Sequence, residues 1–288
     1  MYESGGWRLL IKLGALGPDG TFTGAAASLW DADADIRYYP EVQDVVDAVL
    51  EGEVLEGVVP IENSLEGSVG VTLDLLRECE LTIVGEVLVL VRFNLLLQEG
   101  IGPEGVKMIV SHPQALGQCR KFLRAHFKGV ETRTVGSTAH AAKLAEEFEG
   151  VAALASAVSG KKYNLKPLFE DVQDRRSVTR FIVIRKGREV LTRPSGDDKT
   201  SILVELHDKP GALYELLGIF AGCGINLTRI ESRPSKREIG DYIFYIDFEG
   251  HIEDASVKGA IDEIKDNVAD LIIFGSYPVY NGVCEVLS

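Results

Sequence analysis

The sequence predicts an α/β fold organised as two domains, and three observations carry that prediction. The chain has 288 residues, more than one ordinary domain holds. Short apolar strands alternate with helices as far as Arg185. A charged stretch carrying Pro194, Ser195 and Gly196 then precedes a differently ordered C-terminal part. Hydrophobic residues make up 45% of the chain and charged residues 26%, enough to fill two cores without a disordered tract.

The first apolar run, 9–15, reads as a strand; a Gly-rich turn over 17–20 leads into a helix that starts near Thr23. A second strand over 36–39, an amphipathic helix over 42–51 and a third strand over 57–60 continue the alternation. Such an order implies a parallel or mixed sheet with helices on both faces. Residues 83–97 are β-branched and Leu-rich, too polar at Glu86 and Arg92 for a membrane helix, and read as one extended strand or a strand pair that crosses between two lobes. Strands over 108–111, 131–135 and 151–154, each followed by a helix starting near Pro113, Ser137 or Ser156, make the second α/β lobe. A further strand spans 181–185. The first domain is expected over 8–186, in lobes of 8–88 with 172–186 and of 89–171, followed by a linker over 187–199.

Beyond the linker the expected elements are strand 201–207, helix 211–221, strands 225–231 and 242–248, helix 254–266 and strand 270–277, within a domain over 200–280. That βαββαβ order gives an antiparallel four-stranded sheet with both helices on one face, a ferredoxin-like unit. The unit hosts many functions and names none.

A formal net charge of -14 and the lack of a basic stripe exclude nucleic acid as a partner. An anionic substrate remains open to such a protein only through local donors. The polar, Gly-containing start over 1–7 and the interruption of the next apolar stretch by Lys12 and Gly14 argue against a signal peptide. No apolar run has the roughly 18 residues of a membrane span, so a cytoplasmic protein is expected. Cys79, Cys119, Cys223 and Cys284 are far apart with no CxxC pair, and are read as reduced thiols. No metal or organic cofactor is expected, because clustered His, Cys and carboxylate ligands are missing.

Four polar segments fall where strands should end, the place where α/β sheets bind ligands. The first, Gly17-Pro18-Asp19-Gly20-Thr21-Phe22-Thr23, suits a turn with Thr21 or Thr23 as helix cap, and lacks the GxGxxG and GKS/GKT patterns of phosphate loops. In Glu62-Asn63-Ser64 the polar side chains can cap a helix or offer neutral donors to a carboxylate. In the third, Ser111-His112-Pro113-Gln114-Ala115-Leu116-Gly117-Gln118-Cys119, His112 has no Asp or Cys at an activating spacing and reads first as a structural hydrogen-bonder. The fourth, Thr179-Arg180-Phe181, opens a strand. Arg180 brings a planar fork that can take a carboxylate or tie two lobes together through an acidic partner. Ser137 and Thr138 begin a helix whose amides are either simply capped or able to receive an anion.

Together these segments resemble the prephenate dehydratase family, whose signatures include GPxGTF, PIENS, SHPQALxQC and TRF, here in family order from about Leu9 to Val183. Gly211-Ala212-Leu213 and Glu231-Ser232-Arg233-Pro234 resemble the two phenylalanine-binding motifs of that family's C-terminal ACT domain. The resemblance implies a two-lobed catalytic domain like the periplasmic binding proteins, with the active site in the cleft. One departure is Ser177, where the family usually has Asn two residues before the Thr of TRF. Bifunctional members carry an N-terminal helical chorismate mutase domain; with a first strand by about Leu9, a monofunctional chain is expected.

The activity implied is loss of carbon dioxide and water from prephenate to give phenylpyruvate. By resemblance Thr179 donates the proton or hydrogen bond to the departing hydroxyl; Thr21, Asn63, Ser64 and Gln118 orient the substrate, and Phe22 and Phe181 wall in its ring. Arg180, Ser137 and Thr138 complete the expected substrate set. In the second domain, the amides of the loop at 209–212 suit an amino acid carboxylate, with Asn226 and 231–234 contributing across a subunit interface of a homodimer or homotetramer. L-phenylalanine is the expected effector, acting through a difference in affinity between states. Arogenate dehydration and a non-catalytic two-lobed sensor of an aromatic or keto acid are the competing readings.

Overall fold

The computed structural model describes residues 11–234, 242–280 and 282–285. The polar start and the expected first strand residues Leu9 and Leu10 lie outside the described residues. The first lobe is built from β1 (Lys12–Leu16), α1 (Phe22–Trp30), β2 (Asp35–Tyr39), α2 (Val42–Glu51), β3 (Glu56–Asn63), β4 (Gly67–Ser68), α3 (Gly70–Glu78) and β5 (Leu81–Val91). The second holds β6 (Asn94–Leu97), β7 (Met108–Ser111), α4 (Pro113–Gln118), α5 (Arg120–His126), β8 (Glu131–Thr134), α6 (Thr138–Glu147), β9 (Val151–Ala155), α7 (Ala157–Lys162) and β10 (Lys166–Phe169). The chain then returns to the first lobe through β11 (Ser177–Lys186). A third unit follows: β12 (Asp198–Glu205), α8 (Ala212–Gly222), β13 (Leu227–Pro234), β14 (Tyr242–Glu249), α9 (Ala255–Asn267) and β15 (Asp270–Pro278), after which the short β16 (Cys284–Glu285) pairs with β5 of the first lobe.

Three sheets result. The first has the order β16-β5-β11-β3-β1-β2, with β4 added on β3. In it β1 runs parallel to β2 and β3, while β11 is antiparallel to both β3 and β5. The second has the order β10-β6-β9-β7-β8. The run expected to be a strand or a strand pair is a pair: β5 ends at Val91 in the first sheet and β6 begins at Asn94 in the second. The chain therefore crosses twice between the lobes, once at Arg92 and Phe93 and again between β10 and β11.

Local sequence explains the helices that border the cleft. Thr21 caps α1 by accepting from Gly24 N–H at 3.2 Å, and Ser137 caps α6 by accepting from His140 N–H at 3.0 Å. In α2 a capping box of Glu41 and Asp44 starts the helix and left-handed Gly52 ends it, while Val45, Val46 and Val49 face the core. Helix α3 starts at Gly70, later than the sequence suggests, because Asn63 and the short β4 first turn the chain back along β3.

The third sheet has the order β13-β14-β12-β15, antiparallel throughout. Along β12 the side chains alternate: Ile202 and Val204 pack under α8 and α9 with Leu216, Phe220 and Ile261, while Leu203 faces the other way. That second face, with Ile243, Tyr245, Phe274 and Tyr277, joins one core with Leu73, Leu76, Leu81 and Ile83 of the first lobe. The βαββαβ unit is thus sandwiched between its own helices and the first lobe. Strand β12 begins three residues earlier than expected, because buried Asp198 accepts from Ser195 N–H at 2.6 Å and Gly196 N–H at 3.1 Å and folds the connecting stretch onto the strand.

Candidate active site

A cavity of about 270 Å³ lies between the first two sheets. From the first lobe it receives residues that follow β1 (Gly17, Thr21, Phe22), Asn63 at the end of β3 and Thr179 on β11; from the second, residues that follow β7 (His112, Gln114, Gln118) and β8 (Gly136, Ser137, Thr138). Val91 and Phe93 of the crossing strand form its apolar floor. This is the position outside the carboxyl ends of parallel strands where α/β proteins bind small molecules.

Asn63 organises the centre. Its Oδ1 accepts from the backbone N–H of Leu65 at 2.9 Å and of Glu66 at 3.2 Å, which fixes the amide plane. Its Nδ2 donates to Thr179 Oγ1 at 2.8 Å and to Ser177 Oγ at 3.0 Å. Both hydrogens of that nitrogen therefore have acceptors. Thr179 receives a hydrogen bond, and among the described residues no acceptor lies within reach of its own proton. The arrangement leaves a hydroxyl whose proton is available to the cavity and whose oxygen is already held by a donor. Ser177, the departure from the family pattern, is fully buried and makes a compact partner for the Asn63 amide.

Three helices point their N-termini at the same space: α1 through Thr21 and Phe22, α4 through His112, and α6 through Ser137 and Thr138. The caps take single amides and leave others of the first turns of α1 and α6 open to an anion. Among the lining residues there is no Lys or Arg, so positive potential here comes from helix ends. His112 Nδ1 accepts from Gln114 N–H at 3.3 Å, and in the neutral ring this puts the proton on Nε2. Gln118, 8% exposed, donates Nε2 to Glu66 Oε1 across the cleft at 3.4 Å, while its Oε1 is buried with no partner among the described residues. Phe22 meets Phe93 edge to face, with ring centroids 5.7 Å apart.

Three expected residues are placed elsewhere or only partly as expected. Neighbours on a strand face opposite ways, so Arg180 points away from Thr179 and out of the cavity. Its Nε donates to Glu86 at 2.6 Å, Nη1 to Asp247 at 2.5 Å and Nη2 to the Tyr277 hydroxyl at 2.8 Å. Its acidic partners are Glu86 of its own sheet and Asp247 of the third sheet, so it joins the first lobe to the third unit and not the two lobes to each other, and the fork has no side left for a substrate carboxylate. Burial opposes the Arg180 charge, but Asp247, Tyr277 and Glu86 outweigh it and hold the guanidinium well above its ordinary pKa. Phe181 is a core residue, packed with Leu13, Val58 and Val87 beneath the cavity and not lining it. Ser64 is exposed, and its Oγ accepts from Val178 N–H at 3.0 Å, tying the loop to β11. Cys119 is a packed thiol, pushed up to about 12 by burial.

In the third unit, Glu205 at the end of β12 shares a row with Ile243 and Arg233, so the loop to Gly211 leaves the sheet at the same end as 231–234. Gly211 has φ +88 as the N-cap of α8, and the Ala212 N–H donates to the Lys209 carbonyl, which leaves Leu213 in the first open turn. Asn226 precedes the other end of β13, about 20 Å from Arg233 at strand spacing, and its amide donates to Glu249. Within one chain it does not share a small ligand with 231–234. Sequence reasoning missed Gly136, Gln114 and Phe93 as lining residues; their positions just after β8 and β7 and at the lobe crossing were the available signal.

The family model for prephenate dehydratase matches residues 13–189, and that for the ACT domain matches residues 200–266. The prephenate dehydratase of Methanocaldococcus jannaschii is 41% identical over 273 residues, covering 92% of this chain and 97% of that protein. The solved prephenate dehydratase of Arthrobacter aurescens, in complex with L-Phe, superposes with a TM-score of 0.83 at 36% identity, covering 93% of this chain and 90% of that one. A solved chain described as GqqA, a novel type of quorum quenching acylase, superposes with a TM-score of 0.86 at 29% identity, covering 94% of this chain and 98% of that one. With its Thr179-Arg180-Phe181 strand at the cleft and its βαββαβ unit behind, the chain belongs to the prephenate dehydratase family of lyases and carries an ACT domain.

Proposed function

We propose that the cleft converts prephenate to phenylpyruvate, carbon dioxide and water, with Thr179 as the donor to the leaving hydroxyl. The observation that carries this reading is the Asn63–Thr179 hydrogen bond at 2.8 Å, which leaves the threonine proton without an acceptor among the described residues. The bond from the ring to its carboxylate breaks, the electron pair moves through the ring, and the carbon–oxygen bond opposite breaks. The hydroxide leaves as water on receiving a proton, and the ring becomes aromatic. A threonine hydroxyl is a very weak acid, so donation is concerted with departure, and the Asn63 amide stabilises negative charge that develops on Thr179 Oγ1. Solvent restores the proton after release.

The N-termini of α1 and α6 receive the anionic groups of the substrate, and Gln118 Oε1 accepts from its ring hydroxyl. Phe22 and Phe93 offer the planar product an apolar wall. Thr21 and Ser137 act as the caps that keep the helix ends in place, and Thr138 opens the first turn of α6 beside the substrate. We assign the catalytic unit to 8–186, with lobes of 8–88 plus 172–186 and of 89–171, the linker to 187–199 and the ACT domain to 200–280.

L-phenylalanine, bound near 211–213 and 231–234, is the proposed effector, and a homodimer or homotetramer completes its site. Support comes from the L-Phe complex of the Arthrobacter relative and from the position of β13 as a sheet edge with Ile230 exposed. Among the described residues no helix is long and apolar enough to cross a membrane, which fits the proposed cytoplasmic location. The test is phenylpyruvate formation from prephenate, with arogenate in parallel and L-phenylalanine present or absent. Turnover of prephenate that L-phenylalanine changes is expected; turnover of arogenate alone would reassign the substrate, and none of either would remove the reading.

A further inference from the structure

Strands β3 and β11 pair so that Asn63 lies opposite Thr179 and Glu62 opposite Arg180. One face of these two rows carries the residues that meet at the cavity. The other face carries Glu62 and Arg180, and it is seated on the third sheet. Arg180 Nη1 donates to Asp247 of β14 at 2.5 Å, and Arg229 of β13 lies 3.5 Å from Glu62 and 3.9 Å from Asp247. Lys199 of β12 reaches Glu86 at 2.7 Å. Three cations, Arg180, Lys199 and Arg229, thus interleave with three carboxylates, Glu62, Glu86 and Asp247, across the boundary between the sheets. Immediately past Arg180 the β11 register shifts, which separates this row from the regular ladder behind it.

The same edge strand lies along the segment that follows Asn63. Arg229 Nη2 donates to Ser68 Oγ at 2.7 Å, and Arg233 reaches Asp74 at 3.3 Å while its guanidinium covers Gly70. These side-chain contacts of β13 with the first lobe fall on β3, β4 and α3, the elements that set where Asn63 points.

We propose that Glu62, Arg180, Asp247 and Arg229 are positioning residues: the third sheet sets the Asn63–Thr179 geometry from behind, and a shift of β13 is relayed through Arg229 and Glu62 to the proton donor. The inference rests on the proposed dehydratase reading of the cleft. Substrate anions are held by helix ends elsewhere in the cavity, so loosening this relay changes the chemical step and not binding. A ligand at 231–234, two residues along the strand from Arg229, moves the relay only if it favours one position of β13.

The experiment uses the full chain with Glu62→Gln, Arg229→Gln and the pair together. Glu62 is 37% exposed and its replacement is isosteric, so folding is retained. Each single variant is expected to lower kcat about tenfold with KM within about twofold, and the double to be no worse than the weaker single, as for one shared interaction. The effect of L-phenylalanine on kcat should shrink in all three. Wild-type kcat in the folded variants, or losses that multiply in the double, would overturn the proposal. Amide hydrogen exchange over 178–181 without substrate should be at least about fivefold faster in Glu62→Gln, and unchanged exchange overturns the proposal whatever the activity. Failure of the wild type to form phenylpyruvate would instead sink the dehydratase reading, with exchange still deciding the relay.

Discussion

The Asn63 amide shows how much a single orientation decides. Backbone donors from Leu65 and Glu66 occupy its oxygen, so the nitrogen must face Thr179 and Ser177, and Thr179 must accept. The Ser177 hydroxyl is as much a part of this as Asn63, since it takes the second hydrogen in a site closed to water. Ser177→Ala is therefore expected to leave a buried N–H unpaired and to cost about 1–3 kcal/mol, read from urea unfolding. Ser177→Thr, which keeps the hydroxyl, should lose less of the catalytic rate. The sequence points to polar residues at strand ends, and strand alternation separates Thr179 from Arg180. What alternation does not tell is what lies behind the sheet. Arg180's committed fork depends on Asp247 and Tyr277, far along the chain, and no local pattern reveals that they meet it.

At the scale of elements, helices and strands with clear periodicity were readable: the valines of α2 mark its span, and the six elements of the C-terminal unit follow from their apolar alternation. Helix α3 was not, because Asn63 and Ser64 offer capping side chains just ahead of a two-residue strand. The docking of β15 on β5 also escapes sequence reading, and it depends on one residue. A bulge at Phe274 turns its carbonyl to the Thr82 hydroxyl at 3.0 Å, and a Cβ on Gly275 would collide with the Ile83 carbonyl. Gly275→Ala is expected to push the third sheet off the first lobe and to cost about 1–3 kcal/mol, again by urea unfolding. A stability equal to wild type would mean that the two backbones do not approach so closely.

For the whole molecule, the joint between the first lobe and the third sheet sets the pH range of stability. Burial pushes the Asp247 carboxyl up, but Arg180, Arg229 and the Ser201 hydroxyl outweigh it and leave it below its ordinary value. A depressed carboxyl contributes stability above its unfolded pKa of about 4 and loses it as pH falls through the folded value. On the alkaline side, burial raises Tyr277 and pushes Tyr245 up to about 12. Raised groups of this kind contribute fully below the unfolded pKa of about 10 and lose that contribution as pH rises through the folded one. Urea unfolding followed by near-ultraviolet circular dichroism should therefore show falling stability below about pH 4 and above about pH 10. Unchanged stability at both extremes would show that the joint carries none of it. Removing one partner of this buried network is costlier than losing a surface pair: Asp247→Asn should lose about 3–5 kcal/mol.

Thr179 as proton donor is tested most directly by single-turnover conversion of prephenate by Thr179→Ala beside wild type, with folding checked by circular dichroism. A normally folded variant is expected that still binds substrate and whose chemical step is slower by roughly a hundred- to a thousandfold, with partial recovery in Thr179→Ser. A wild-type rate in folded Thr179→Ala would contradict that role and take the proton donor away from the cleft's centre.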